Sequence, residues 1–422
     1  MAMHILLLDV HYEKTRRPLH TESITLGELA ALTPKKYSVE LQNIVEPTKI
    51  DYEGDYDIVG ISTITPSAPF AYEIADNFRK SGKTVVLGGY HPTVLPTEAK
   101  QHADSVVIGE GEFVWPQLLE DFEQRKLESF YENNNPVDPE FIPNPLREKN
   151  KKYGYYDVVQ ASRGCPYGCE FCSIYHIKFG HIFRKKPIEK VIEDIQSING
   201  KFFFFADPSL TIDVNYTKQL FKEMKELNKK FNCFGNIDVL AKDKELLKLS
   251  SEAGCVLWHV GVESINPESL KIMKKEINKI DDYHTAIRNI NDHGMNVFGE
   301  FVFGFDTDTP DTFEKTEQVI KDWNMMPGFQ IIVPYPGSPL FDKLDKEKRI
   351  LTKDWSEYTV NNVVFQPKHM TPDFMKNEVE HLYKNFYSFY PTMKRIISST
   401  RFGLYPFISS VNTNFSVAKR YT

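Results

Sequence analysis

The stretch "SRGCPYGCEFCSIY", Ser162–Tyr175, places Cys165, Cys169 and Cys172 on one short run, separated by Pro, Gly and polar residues. It continues directly from "YDVVQAS", Tyr156–Ser162, whose β-branched centre and polar flanks read as a strand. A tetrahedral zinc site takes four protein ligands, and no second close Cys or His pair completes one here. His176 and His181 are nearby, but neither has a standard knuckle spacing from the thiols. Three thiolates on a short loop suit a four-iron cluster, in which they hold three irons and leave the fourth open. An open coordination position points to catalysis rather than simple electron transfer.

Outward from this loop, strand-like and helix-like segments alternate in both directions. Downstream lie "KFFFFAD" (Lys201–Asp207), "NCFGNID" (Asn232–Asp238), "VLWHVGVES" (Val256–Ser264), "NVFGEFVFG" (Asn296–Gly304) and "FQIIVPYP" (Phe329–Pro336), separated by Lys- and Glu-rich helical stretches. With Tyr156–Ser162 they make six strand-helix units, which predicts a (β/α)6 partial TIM barrel with its chemistry at the strand C-termini. Upstream, "HILLL", "YSVELQNI", "DIVGIS", "TVVLGG" and "SVVIGEGE" predict a second, Rossmann-like α/β sheet that binds ligand beyond its strand ends. The expected organisation is an N-terminal domain over 1–124, an Asn- and Pro-rich linker over 125–150, a barrel over 151–345 and a mainly helical region over 346–422.

C-x3-C-x2-C with Phe171 before the third cysteine resembles the signature of the radical S-adenosylmethionine (SAM) superfamily. There the three cysteines hold a [4Fe-4S] cluster whose unique iron binds SAM. Further motifs follow in the order this resemblance implies. Asp207 ends "FFFFAD", where the superfamily places a polar residue near the amino group of SAM; a helix-capping aspartate is the competing reading. Glu263 and Ser264 of "GVES" resemble the fourth-strand motif near the ribose and carboxylate, against a buried structural Glu263. Gly304 of "GEFVFGFDTDT" resembles the fifth-strand glycine that lets backbone approach the adenine. "VPYPGSPLFD", Val333–Asp342, matches the turn after the sixth strand. Cys233 and Cys255 stand outside the motif in apolar surroundings, as buried structural thiols do.

"LGGYHPTVLPTEAKQHADSVVIGEGE", Leu87–Glu112, resembles the end of the cobalamin-binding domain found ahead of many radical SAM enzymes. Gly88 and Gly89 leave room for a flat ligand or its nucleotide tail, and Ser62, Thr63 and Thr65 of "GISTITPS" offer hydroxyls at an earlier strand end. The lower-axial-histidine motif Asp-x-His-x-x-Gly is incomplete. "DVHYEK" supplies Asp9 and His11 but has Lys14 in place of the glycine, so His11 is read as loop-bonding or solvent-facing rather than as a cobalt ligand.

The resemblance implies a cobalamin-dependent radical SAM C-methyltransferase: a 5'-deoxyadenosyl radical removes hydrogen from an unactivated carbon, and methylcobalamin supplies the methyl group. The alternative keeps the cofactors but ends in oxidation, cyclisation or carbon-carbon coupling, as in relatives resembling the anaerobic porphyrin-ester cyclase. A metal-binding or redox scaffold without turnover is a third reading. The substrate class stays open between a lipid or isoprenoid, as in hopanoid methylases, and a peptide or other small molecule. An external electron donor such as flavodoxin or ferredoxin is implied.

Composition bounds these expectations. A chain of 422 residues has room for two or three cored domains. Its net charge of -7 gives no global field for nucleic acid, and five cysteines, an odd number, argue for a reducing cytoplasmic setting. No window suggests a signal peptide or a transmembrane segment. The aromatic-rich C-terminal region reads first as a helical cap burying its rings, and second as a groove for a greasy substrate or a membrane surface.

Overall fold

Parallel strands covered on both faces have near-continuous apolar runs, and His4–Val10 (β1), buried from Ile5 to Val10, is of this kind. The computed structural model describes residues 3–11, 23–44, 50–147 and 157–421; Lys14 lies outside these residues. β1 pairs in parallel with Ser38–Ile44 (β2) and Ile58–Thr63 (β3). Thr84–Gly88 (β4), Ser105–Ile108 (β5) and Phe130–Glu132 (β6) complete a parallel sheet in the order β2-β1-β3-β4-β5-β6. The strand order reverses between β1 and β3, so the ligand crevice opens at their C-terminal ends.

β6 corrects the expected linker. Residues 125–147, the described part of that segment, do not simply cross the surface, because Phe130–Glu132 extends the first sheet. Three residues are too few for a period-2 pattern to appear within an Asn- and Pro-rich run.

Asp157–Val159 (β7) begins the second sheet. Ser162–Arg163 (β8) and Arg184–Lys185 (β9) pair antiparallel and close off the cysteine loop between them. Phe202–Phe205 (β10), Lys230–Gly235 (β11), Cys255–Glu263 (β12), Asn296–Phe303 (β13) and Met326–Ile331 (β14) follow β7 in sequential parallel order. This is the open (β/α)6 barrel. Its helices bury Phe205, Phe231, Trp258, Phe301 and Phe329 against the outer sheet face. The first helix after β10 starts at Val214, where the Asp213 carboxylate accepts the Tyr216 amide at 3.0 Å. The capping aspartate is thus Asp213 and not Asp207.

Helices Pro372–Phe386, Phe389–Ser399 and Leu404–Tyr421 form the C-terminal region. The first lies on β14: the Phe329 amide donates to the Tyr383 hydroxyl at 2.9 Å, and the Tyr387 hydroxyl donates to the Pro327 carbonyl at 2.8 Å. Tyr421 stacks on Tyr383 with ring centroids 3.7 Å apart. These rings form the buried cap expected from the sequence, whereas Phe389, Tyr390, Ile397, Leu404 and Phe415 remain exposed. Among the described residues no helix is long and apolar enough to cross a membrane.

Candidate active site

Two glycines allow the cysteine loop to fold back on itself. Gly164 has φ +76°, and an added Cβ would overlap the Ile182 carbonyl; at Gly180 it would overlap the carbonyl of Ile174. The Cys165 amide then donates to the Gly180 carbonyl at 2.8 Å, and the Cys172 amide to the Cys169 carbonyl at 3.1 Å. His176 Nε2 lies 3.1 Å from the Cys169 carbonyl, so this histidine is engaged with the loop backbone.

Cys165, Cys169 and Cys172 are all free thiols, and they are close enough to interact electrostatically. Burial raises the Cys165 thiol and pushes Cys169 up to about 11, with the other thiols adding to the effect. The buried Lys275 ammonium opposes it. Thiols in this state release protons when metal binds. Among the described residues no three His, Cys, Asp or Glu side chains converge on a single metal ion. A cubane takes one thiolate per iron rather than three on one, so the loop's donor chemistry fits the [4Fe-4S] group.

Lys275 was not singled out by sequence. It forms an ion pair with Glu263, which closes β12 with φ +64°. A side chain at Gly261 would collide with this pair. Glu263 is thereby placed beside the cysteine loop and bears electrostatically on Cys169. Ser264 is buried, its hydroxyl accepting the Asn266 amide at 3.0 Å and its carbonyl accepting the Tyr283 hydroxyl at 3.2 Å. Asp207 faces back toward the cysteine strand: its carboxylate accepts the Ser162 hydroxyl at 2.6 Å and the Ala161 amide at 3.1 Å. Burial pushes it up to about 6 against those hydrogen bonds. Gly304 has φ +115°, and an added Cβ would stand 2.8 Å from Ile332 Cγ2. It borders a small cavity of about 30 Å³ shared with Phe171 and Phe305.

The sheet ends of both domains bound a larger cavity of about 450 Å³. Ser62, Thr63, Gly88 and Gly89 line one side, and Arg163, Gly164 and Gly180 of the cysteine loop line the other. Gly88 meets the fit expected for a bulky cobalamin: a Cβ there would have Val107 at 3.7 Å, so it would occupy cavity space without clashing. Gly89 has a different reason to be glycine. At φ +96° its Cβ would lie 2.7 Å from the Thr63 carbonyl oxygen, so close packing of β3 on β4 requires it. Thr65 is directed elsewhere. It is fully buried, with Oγ1 3.2 Å from His91 Nδ1, and His91 passes on to Glu98 at 3.1 Å and thence to Trp355 of the C-terminal region. His11 lines the cavity and its Nε2 sits 2.9 Å from Asp9. Although burial raises the Asp9 carboxyl, His11 and the Ser23 and Ser62 hydroxyls hold it below the usual carboxylate range.

Buried ion pairs tie the two walls of this cavity together. Glu28, fully buried on the helix Ile24–Leu32, meets Lys186 Nζ at 2.9 Å and Arg163 Nη2 at 2.7 Å. Arg163 also meets Glu112 at 2.6 Å, and Arg184 meets Glu110 at 2.7 Å. Arg163 stands two positions before Cys165, so the N-terminal domain grips the cysteine loop directly. Proximity to "GC" was the available signal for Arg163, but nothing local in the sequence pointed to Glu28 or Lys186.

Known proteins share this organisation. Residues 159–320 match the radical SAM superfamily, and residues 42–119 match the B12 binding domain. Bacteriochlorophyllide d C-12(1)-methyltransferase of Chlorobaculum tepidum is 32% identical over 361 residues, covering 82% of this chain and 78% of that protein. Bacteriochlorophyllide d C-8(2)-methyltransferase of the same organism is 31% identical over 411 residues, covering 92% of this chain and 90% of that protein. The fold matches the radical SAM methyltransferase TsrM of Kitasatospora setae, solved with cobalamin and a [4Fe-4S] cluster. The TM-score is 0.67 at 15% identity, over 82% of this chain and 78% of that one. With the cysteine loop and the glycine-lined crevice facing each other across one cavity, the chain belongs to the cobalamin-dependent radical SAM methyltransferase family, an enzyme family whose cofactors are a [4Fe-4S] cluster, SAM and cobalamin.

Proposed function

We propose that this enzyme transfers a methyl group to an unactivated carbon of a hydrophobic small molecule, with a chlorin-type macrocycle the first candidate. The observation that carries the reading is the shared cavity, bounded on one side by Gly88 and Gly89 and on the other by Arg163 and Gly164. The substrate class rests on the names of the two Chlorobaculum relatives; lipids and peptides stand behind it. When bound, cluster and SAM supply hydrogen abstraction and cobalamin supplies a transferable methyl group.

The chain's own residues bind, orient and shield. Cys165, Cys169 and Cys172 would hold the cluster, and Asp207 fixes the strand leading into their loop through Ser162 and Ala161. Lys275 compensates negative charge beside the thiols and orients Glu263, which with Ser264 and Gly304 forms the barrel's candidate SAM-binding set. Ser62, Thr63, Gly88 and Gly89 would take the cobalamin, while Thr65 supports that wall through His91. The Glu28–Arg163–Glu112 pairs hold the two walls in register, which matters because reactions between bound groups depend steeply on their separation. The reading includes an external electron donor of the flavodoxin or ferredoxin kind and a cytoplasmic setting.

The test is anaerobic reconstitution with SAM bearing a deuterated methyl group, a chlorophyllide as substrate and a chemical reductant. A product heavier by one labelled methyl, formed together with 5'-deoxyadenosine and dependent on all three loop cysteines, supports the proposal. Deoxyadenosine with a product lighter by two hydrogens assigns the enzyme to oxidation or cyclisation instead. No deoxyadenosine from a fully loaded cluster overturns the radical reading.

A further inference from the structure

The C-terminal hairpin leaves an apolar surface that neither the barrel nor the cavity uses. Among the described residues fourteen large apolar side chains are exposed, and six of them lie beyond residue 388: Phe389, Tyr390, Ile397, Leu404, Ile408 and Phe415. Phe389 is 81% exposed and Tyr390 77%. Their spacing is helical. Phe389 and Ile397, with half-buried Met393 between them, recur every four residues on one helix; Leu404, Ile408 and Phe415 do so at four and seven on the next. The opposite faces are already spent on the seam between the helices, where Arg395 Nε donates to Asn414 Oδ1 at 2.8 Å, and Asn414 Nδ2 is held within its own helix by the Ser410 carbonyl at 2.9 Å.

Charge distinguishes this surface from an ordinary one. The chain as a whole is acidic, at -7, yet no Asp or Glu follows Glu380, while Lys384, Lys394, Arg395, Arg401, Lys419 and Arg420 do. Lys394, Arg401, Lys419 and Arg420 are exposed. One acidic neighbour comes from the barrel, Asp322, which meets Lys394 at 3.9 Å. Apolar stripes flanked mainly by cations are the pattern of helices that lie in the interface of an anionic bilayer. Placement permits it. Tyr405 packs on Phe202 at the start of β10 with ring centroids 5.6 Å apart, and Asn296 at the start of β13 donates to the Pro406 carbonyl at 2.6 Å. The hairpin therefore covers the barrel end opposite the cysteine loop and leaves the cavity clear of whatever docks there.

We propose that the Phe389–Ser399 and Leu404–Tyr421 helices dock this enzyme on the surface of an anionic membrane, through the apolar stripes and the cations beside them. The docking is peripheral, with no segment crossing the bilayer.

The test uses the full chain and sedimentation with vesicles of phosphatidylglycerol and phosphatidylcholine mixed, or of phosphatidylcholine alone. The expected result is binding to the anionic vesicles, weakened by salt and absent with phosphatidylcholine. Phe389→Ser/Ile397→Ser/Phe415→Ser abolishes it, and Arg401→Gln/Lys419→Gln weakens it roughly 30-fold. Helical circular dichroism and deoxyadenosine formation, unchanged in both variants, exclude misfolding as the cause. Three results overturn the proposal: no binding to anionic vesicles at low salt, equal binding of the triple variant, or a concentration-dependent dimer of the wild type that the triple variant abolishes without any vesicle binding. The last would identify the surface as a contact between copies.

Discussion

Replacing Glu28 with leucine strips a carboxylate from beneath two buried cations, and the cost follows from what each cation retains. Arg163 keeps Glu112 at 2.6 Å and is half-provided for. Lys186, 2% exposed, loses the carboxylate it meets at 2.9 Å. Breaking a buried pair in this way costs about 3–5 kcal/mol. The expectation is therefore a loss of about 3–5 kcal/mol from the step that separates the two domains. Urea unfolding of the metal-free Glu28→Leu variant at pH 7 measures it. Glu28→Leu/Lys186→Met, which removes the stranded charge, should regain at least half the loss. A single variant within about 1 kcal/mol of wild type, or a double variant no better than the single, would refute the claim that this pair locks the domains.

Other expectations are sharper in direction than in size. Gly89→Ala forces a Cβ against the Thr63 backbone at a positive φ and should cost about 1–3 kcal/mol as well as corrinoid binding, whereas Gly88→Ala should fold normally and lose corrinoid alone; thermal melts and corrinoid absorbance after reconstitution separate the two. Alanine at Cys165, Cys169 or Cys172 should abolish iron-sulfur absorbance and deoxyadenosine formation, while Cys233→Ala, whose thiol is buried 4.0 Å from the Cys255 sulfur, should keep both. Asp207 titrates near 6 in the folded protein, above its value of 3.8 when unfolded, so protonation favours the folded state. Wild-type stability should rise relative to Asp207→Asn as pH falls from 6 to 4, and melting temperatures across that range that run parallel would contradict the burial of this carboxyl.

The order of the fold was legible because its signals are local. Apolar runs such as His4–Val10 and Phe202–Phe205 mark strands, and three closely spaced cysteines on a Gly-containing loop, with the motifs that follow them, carry the family resemblance. Gly164 and Gly180 belong to the same local logic, since the loop's own backbone excludes a side chain there. Tertiary structure decided everything that depends on distant partners. Glu28 finds Arg163 and Lys186 across 135 and 158 residues, and Glu98 finds Trp355 across 257. Before folding, Glu28 and Glu98 read as ordinary polar residues of a solvated surface. The aromatics of the C-terminal helices divide in the same way: Tyr383 and Tyr387 are buried against β14 and Phe389 and Tyr390 are not, a distinction that four neighbouring rings do not carry in their sequence. Periodicity tells which residues share a face. What that face meets is fixed only when another part of the chain, or a membrane, arrives to cover it.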